Sequence, residues 1–350
     1  MNQRTRYFLI GSAFVVLVGL CTGIVAYYGG DLVAGRAATP EFSYLPSDTT
    51  GVAYVDVQEV MKSGFAQKLR QFLPTGEDKN RLAAELGVDL ERDIESVVAS
   101  MAAGGPQSGV VVLRGRFDAA KIEAAAIQHG GTVSEYHGKR LLVKRHLDSA
   151  PGAPMGSAAE LSTAGAAFLD TNLLAIGQIA ALHRAIDTDV SNQDITDNPE
   201  LMKFVNEARQ SGNVWAVGRL DAVMPPDAMP DQLRAQLPNI QWFAVSADVD
   251  QALTGSIRVQ ATDMAAGEDL RKVVNGALAA AKLFAGSNPA IASTLNSMQV
   301  SGQGADVHLS FTLTAETFEQ MHPGPPAAGR GGLAPGSGRR PESMPLPLPR

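Results

Sequence analysis

The segment VAYVDVQEVM at positions 52–61 returns as WAVGRLDAVM at positions 215–224, a shift of 163 residues. Further along, LRQFLP at 69–74 matches LRAQLP at 233–238 at a shift of 164. In both copies, an apolar strand-like run gives way to helical spacing of the apolar residues. The sequence therefore predicts an internal duplication of a unit with the order strand, helix, strand, strand, helix, strand, strand.

Two further parallels extend the duplication. IESVVAS at 94–100 parallels IQWFAVS at 240–246, and TVSEYHGKRLL at 132–142 resembles QVSGQGADVHL at 299–309. We predict an α+β fold in which each copy forms a largely antiparallel sheet with helices packed on one face. Repeat 1 is assigned to residues 50–210 and repeat 2 to residues 211–321. Before them, residues 29–49 form a spacer in which prolines block regular structure.

Local signals within the first repeat define individual elements. Helical spacing predicts one helix over residues 58–72. Asp118 is the predicted N-cap of a second helix, because its carboxylate can accept from free backbone amides. A two-residue turn is predicted at residues 137–138, and the resulting hairpin register places Glu135 opposite Arg140.

An uncharged run of 21 residues begins at Phe8 and ends at Tyr28. At 1.5 Å per residue, a helix of this length spans the roughly 30 Å hydrocarbon core of a bilayer. Arg4 and Arg6 precede the run, whereas acidic residues dominate after it, so the positive-inside rule keeps residues 1–7 cytoplasmic. The sequence predicts a single-pass protein of the inner (cytoplasmic) membrane, with its main domain periplasmic or extracellular.

A cleaved signal peptide is the alternative, but its apolar region normally runs only about 7–15 residues before a small-x-small cleavage site.

Within the span, Gly19 and Gly23 form a GxxxG pair, which supports the hypothesis of a homodimer through this helix. Cys21 is the only cysteine and lies in the same run. The exported region therefore has no disulfide and no thiolate metal ligand.

The charges are unevenly distributed along the chain. The formal net charge is -7 at pH 7, yet both ends are basic, which leaves about minus twelve on residues 29–322. An acidic body is repelled by phosphate backbones, so nucleic acid is excluded as a partner.

Residues 322–350 are rich in proline and glycine and are predicted to be a disordered tail. Its closing PLPLP favours polyproline II, which offers either a partner-binding motif or a solvated linker.

Four segments carry a family resemblance: LPSDTTGVAYVDVQEVMKSG at 45–64, LRGRFDAAKIEAAA at 113–126, YHGKRLLV at 136–143 and FLDTNLLAIGQIAALHRAID at 168–187. With these, the chain resembles bacterial single-span membrane-anchored proteins with an exported domain of unknown function. The resemblance covers roughly residues 45–210. It implies export and fold, and it brings no activity, cofactor or site residue.

The common hydrolase and phosphate-binding motifs are missing from the sequence, which has no Gly-x-Ser-x-Gly, Ser-x-x-Lys, His-Glu-x-x-His or Walker-type loop. His129, His137, His146 and Glu135 are the residue types that bind zinc. The hairpin register separates His137 from His146 by over 20 Å at about 3.3 Å per residue, so exposed histidines are the preferred interpretation. We assign no catalytic, cofactor-binding or metal-ligating residue.

Asp187, Asp189 and Ser191 match the first three ligand positions of a calcium loop, but the glycine and the closing glutamate of that loop are missing. Asp56 and Asp170 are the carboxylates that an unrecognised enzyme would use, although nothing in the sequence pairs them. A capping or turn role suits Asp170, which begins a turn between two strands.

Three functional hypotheses remain. The preferred one is a noncatalytic binding or scaffold protein of the bacterial envelope, with an envelope protein as its partner. The second is a carrier or sensor of a lipid or other apolar ligand, held in a groove between the sheets and the Ala-rich helix Met264–Phe284. The third is an enzyme of unrecognised class.

Overall fold

The computed structural model describes residues 40–69, 88–89, 92–102, 108–144, 164–223, 240–285 and 289–321. The predicted transmembrane helix at 8–28 and the predicted tail at 322–350 lie outside these residues. Among the helices in the described ranges, none is both long and apolar enough to cross a bilayer.

The described strands form one antiparallel sheet of twelve strands. In chain order they are β1 (Thr49–Asp56), β2 (Ile94–Ala102), β3 (Val110–Gly115), β4 (Gly131–Tyr136), β5 (Lys139–Lys144), β6 (Ala164–Asp170), β7 (Leu173–Gln178), β8 (Val214–Arg219), β9 (Ile240–Val249), β10 (Ala252–Ala261), β11 (Gln299–Ser301) and β12 (Asp306–Thr314). Their order across the sheet is β4-β5-β6-β7-β3-β2-β1-β8-β9-β10-β12-β11. The predicted α+β class with a largely antiparallel sheet is confirmed.

The described helices cover this sheet. They are α1 (Val57–Lys62), α2 (Gly64–Leu69), α3 (Ala119–Gln128), α4 (Ile179–Ser191), α5 (Pro199–Ala208), α6 (Leu220–Val223), α7 (Met264–Phe284), α8 (Pro289–Ser297) and α9 (Ala315–Met321), with 3-10 helices at Pro40–Tyr44 and Ile195–Asp197. The second hypothesis above assumed separate sheets beside the Ala-rich helix, whereas the described strands make a single sheet.

Strands β1 and β8 lie at the centre of the sheet and pair with each other. Ala53 is opposite Ala216, and Tyr54 is opposite Trp215. The shift of 163 residues maps Ala53 onto Ala216. The same shift exchanges the pair Val52–Val217 with the pair Tyr54–Trp215. The two matching segments are therefore related by a local two-fold axis through the Ala53–Ala216 pair.

Helices pack on both faces of the sheet, so the prediction that they pack on one face is wrong. Helices α4 and α5 share a core with Val98 of β2, and α1 and α3 share a core with Val97 of the same strand. We call these the α4–α5 face and the α1–α3 face. The reason is that the central strands carry apolar residues at successive positions, and such strands are buried on both sides.

The hairpin β4–β5 occupies a different place from the one that the sequence parallel predicted. β12 adjoins β10, and the strand that adjoins β3 is β7, not β5. By position, β6–β7 therefore corresponds to β11–β12, and β4–β5 is an additional hairpin at the edge of the sheet. The error arises because short Val-Ser strands with a glycine turn recur by composition alone.

The N-terminal elements differ from prediction in two ways. Phe42 and Leu45 are buried, so the fold already includes the end of the predicted spacer. The helix predicted over residues 58–72 is interrupted at Ser63, whose backbone is extended and whose Oγ accepts from the backbone N–H of Ala66 at 3.0 Å. A hydroxyl that binds nearby backbone competes with the helix in this way.

Two local predictions are confirmed. The Asp118 carboxylate accepts from the backbone N–H of Lys121 at 3.1 Å and caps α3. In the hairpin, Glu135 is opposite Arg140, and the turn residues His137 and Gly138 both have positive φ, at 46° and 75°. Positive φ at both positions is the signature of the type I′ turn that joins two-residue hairpins.

Candidate functional site

A buried ion pair joins the N-terminal 3-10 helix to the sheet. Glu41 is 1% exposed and accepts from Nε and Nη2 of Arg114 at 2.7 and 3.0 Å. The Ser96 hydroxyl donates to the same carboxylate at 3.0 Å. This hydrogen-bonded pairing raises the pKa of Arg114. A carboxylate bonded three times in this manner is held as a structural cross-link rather than presented to a substrate.

Tyr54 and Asp56 lie on the α4–α5 face beside the Glu41–Arg114 ion pair. Asp56, Ser96 and Arg114 are in register on the adjacent strands β1, β2 and β3. Tyr54 stacks on Trp215 with 5.5 Å between ring centroids. Burial, together with the charges of Asp56 and Glu41, raises the pKa of Tyr54 above its ordinary range. The phenol therefore stays protonated and serves packing.

Asp56, one of the two candidate catalytic carboxylates, caps α1. Its Oδ1 accepts from the backbone N–H of Glu59 at 2.9 Å. Burial raises the pKa of Asp56, and the backbone hydrogen bonds oppose that shift. Asp170, the other candidate, accepts from the N–H of Thr171 at 2.6 Å in the turn after β6. Because β1 and β6 are four strand positions apart, about 19 Å, the two carboxylates do not form a pair.

The candidate zinc residues are dispersed. His129 is the C-cap of α3, His137 is in the β4–β5 turn, and Glu135 is on β4, while His146 lies outside the described residues. In the described part of the chain, no three His, Cys, Asp or Glu side chains are grouped as a metal site.

The candidate calcium residues lie on helix α4, not in a loop. Asp187 accepts from the Tyr136 hydroxyl at 3.0 Å. Lys139 is 3.9 Å from a carboxylate oxygen of Asp189, and the Ser191 hydroxyl donates to the helix backbone. On this helix Asp189 lies on the side opposite Asp187 and Ser191, so the three side chains cannot surround one ion and the calcium hypothesis fails on geometry.

A histidine that the sequence did not single out completes an aromatic cluster there. His183 stacks on Tyr136 with ring centroids 3.9 Å apart, one helical turn before Asp187. Burial lowers the pKa of His183, against the opposing charge of Asp187. His137 approaches Asp187 at 3.5 Å. This cluster fixes the edge hairpin to α4.

Helix α7 presents an apolar strip beside its packed side. Leu270 and Gly267 face the sheet, and an added Cβ on Gly267 would lie 2.2 Å from the Gly304 carbonyl oxygen. Val273, which is 44% exposed, and Ala277 lie at the margin of that side. Val273, Ala277 and Ala280 are separated by four and then three residues, and residues with this spacing lie along one side of a helix. We call Val273, Ala277 and Ala280 the α7 strip.

Further apolar residues of this region are also exposed. Leu283, near the end of α7, is 83% exposed. Met264 at the start of α7 and Ile291 on α8 are exposed too. A solitary exposed apolar residue is ordinary, whereas here Leu283 and Ile291 are exposed on two adjoining helices.

The sequence matches no family model and no curated protein. Among solved structures, the chain is similar to crystal form I of TP0453, with 11% identity and a TM-score of 0.46. The match covers 81% of this chain and 96% of TP0453.

The contacts that sequence reasoning missed share one property. Glu41 and Arg114 are 73 residues apart, and Tyr136 and Asp187 are 51 apart. Neither pair produces a local motif. The α7 strip, by contrast, had a local signal in the small residues of VVNGALAAAKLFAG at 273–286.

Proposed function

We propose that this chain is a noncatalytic binding or scaffold protein of the bacterial envelope. In this proposal the segment from Phe8 to Tyr28 holds it in the inner membrane, and its main domain lies outside the cytoplasm. The observation that carries the binding role is the α7 strip with its exposed apolar neighbours. The partner that fits it is an envelope protein that covers the strip.

The composition of the strip favours a protein helix as the covering element. Alanine at 277 and 280 allows a second backbone to approach closely, and Val273 supplies apolar area at the margin. Burial of apolar surface stabilises such a contact by roughly 25 cal/mol per Å². An anionic lipid surface is a poorer fit, because the body of the chain is itself strongly acidic.

A carrier or sensor of a lipid or other apolar ligand is the second candidate. The exposure of Leu283 at the end of α7 favours it. The packing at Gly267 limits where a guest can lie, since the helix backbone there contacts the turn before β12 directly. A guest would therefore bind along the exposed strip and not beneath the first turns of α7.

The duplicated unit is part of the same proposal. The local two-fold axis at Ala53 and Ala216 supports it, because the segments that match in sequence are the ones that pair in the sheet. The flanking order, β2 and β3 on one side and β9 and β10 on the other, supports it as well. The duplication accounts for the size of the sheet on which α7 rests.

Site-specific photocrosslinking tests the binding role. Benzoylphenylalanine replaces Val273 in the full-length protein, which is irradiated in the membrane of its own host. Asn275 provides the matched control, because two residues along a helix lie about 160° away on its surface. A protein adduct formed from position 273 and not from position 275 supports the proposal. A lipid adduct favours the carrier, and equal adducts from both positions contradict a specific surface.

A further inference from the structure

The two edges of the described sheet differ in length. One edge is β11, with three residues, and the other is β4, with six. β4 belongs to the additional hairpin that has no counterpart in the second half of the sheet. We infer that the outer edge of β4, which pairs with no described strand, pairs antiparallel with β4 of a second copy, with Val133 opposite Val133. The product is a symmetric dimer whose sheet runs through both copies.

The hairpin turn determines which backbone groups face outward. In a two-residue turn the flanking pair, here Tyr136 and Lys139, forms the closely hydrogen-bonded pair. The bonds then alternate, so Ser134 bonds to β5 while Val133 and Glu135 direct their N–H and C=O groups away from it. No described residue forms a hydrogen bond with those outward groups. Outward-facing groups of this kind are the template for strand addition.

The sequence of β4 fits a two-fold register centred on Val133. That register places Glu135 opposite Gly131 of the second copy, so no like charges face each other. A register centred on Glu135 would place two carboxylates directly opposite, which is destabilising. The chain already contains the same arrangement, since β1 and β8 pair antiparallel about a local two-fold axis.

The apolar surface beside the edge favours the same contact. Val133 is 39% exposed, and its neighbour across the hairpin is Leu142, which belongs to the core on the α1–α3 face. Helix α3 packs on that face through Ile122, and its Ile127 is 59% exposed. Pairing through β4 brings Val133 of both copies together and places both α3 helices on one face.

Disulfide trapping tests the pairing in full-length protein in its membrane, with Cys21→Ser removing the native thiol. In a closely hydrogen-bonded antiparallel pair the Cα atoms are about 5.5 Å apart, within the 4.4–6.8 Å that a disulfide spans. We expect Val133→Cys to give a cross-linked dimer under mild oxidation. Thr132→Cys is the control, because its counterpart lies diagonally at about 7–8 Å. We expect at least tenfold less dimer from it.

A second variant separates strand pairing from mere proximity. Adding Glu135→Pro to Val133→Cys removes an outward N–H that would bond to the second copy, while the β4–β5 bonds remain. We expect at least tenfold less cross-linked dimer than with Glu135→Ala in the same position. Equal yields from these two variants, equal yields from positions 132 and 133, or cross-links only to a different protein would each overturn the inference.

Discussion

The Glu41 carboxylate is buried against the Arg114 guanidinium with both oxygens bonded, at 2.7 and 3.0 Å. Glu41 lies in the 3-10 helix that precedes β1, and Arg114 is on β3. The contact therefore attaches the first described segment to the third strand of the chain. In the proposed topology, residues 29–39 separate that segment from the membrane anchor, so this ion pair secures the described segment that is nearest to the anchor in sequence.

Arg114→Met is expected to lower the free energy of unfolding by about 3–5 kcal/mol, because it leaves the buried Glu41 charge without its counter-ion and with only the Ser96 hydroxyl as a donor. Urea unfolding followed by the fluorescence of Trp215 and Trp242 measures this, since both indoles are buried. The control is the double variant Glu41→Met with Arg114→Met, which removes both charges and should recover most of the loss. Equal stability of the single and double variants would show that the unpaired Glu41 charge is not the cause of the loss.

Asp56→Asn is expected to stabilise the protein at pH 7. Burial raises the pKa of Asp56, so ionisation disfavours the folded state, whereas asparagine keeps the N-cap without the charge. The gain should shrink as the pH is lowered toward the pKa of Asp56, where the wild-type carboxyl protonates. Asp118→Asn, at the exposed cap of α3, should give a smaller change. A larger gain from Asp118→Asn would refute this account of Asp56.

Two glycines of α7 should respond oppositely to alanine. Gly267→Ala is expected to destabilise by about 1–3 kcal/mol, because its Cβ would overlap the Gly304 carbonyl and push the helix from the sheet. Gly276→Ala should stabilise by about 0.5–1 kcal/mol, since nothing lies within 4 Å of its added Cβ and alanine favours the helix. Thermal unfolding of both variants, followed by circular dichroism, measures the two changes in stability. Similar effects at the two positions would contradict the described packing of α7.

Acidification should weaken the fold through two histidines. Burial lowers the pKa of His183 and of His308. The pKa values of both histidines in the folded protein therefore lie below the unfolded value of about 6.5. At a pH between the folded and unfolded pKa values, the unfolded chain binds more protons than the folded chain. The free energy of unfolding should fall as the pH drops from 7.5 through 6.5 toward the folded values.

The matching variant is His183→Gln combined with His308→Gln. Loss of packing lowers its stability at every pH, so the informative quantity is the difference between pH 7.5 and pH 5.5. That difference should be smaller than in the wild-type protein. An unchanged or larger difference would mean that other groups cause the acid sensitivity.

Local chemistry made part of the fold predictable. The Asp118 cap and the pairing of Glu135 with Arg140 depend on a few neighbouring residues, and both are as predicted. The class of the fold followed from the strand and helix periods. The order of strands did not, because the position of β7 beside β3 depends on contacts distant in sequence.

The candidate site was less predictable for the same reason. Asp187 and Asp189 have the spacing of a calcium loop, yet the apolar side of residues 179–191 buries Leu182 and Ile186 and makes them helical. The burial of Glu41 had no signal, since an isolated glutamate after proline is normally exposed. Only the small residues of α7 pointed to the surface on which the proposed function depends.

Native mass spectrometry of the full-length protein, extracted in mild detergent from its own host's membrane, tests the central claim most directly. The account predicts an added subunit of a different protein on the wild-type chain, which is lost in Val273→Asp and kept in Asn275→Asp. An added mass of lipid or metal size in place of a protein subunit, or a bare chain in all three samples, would contradict it.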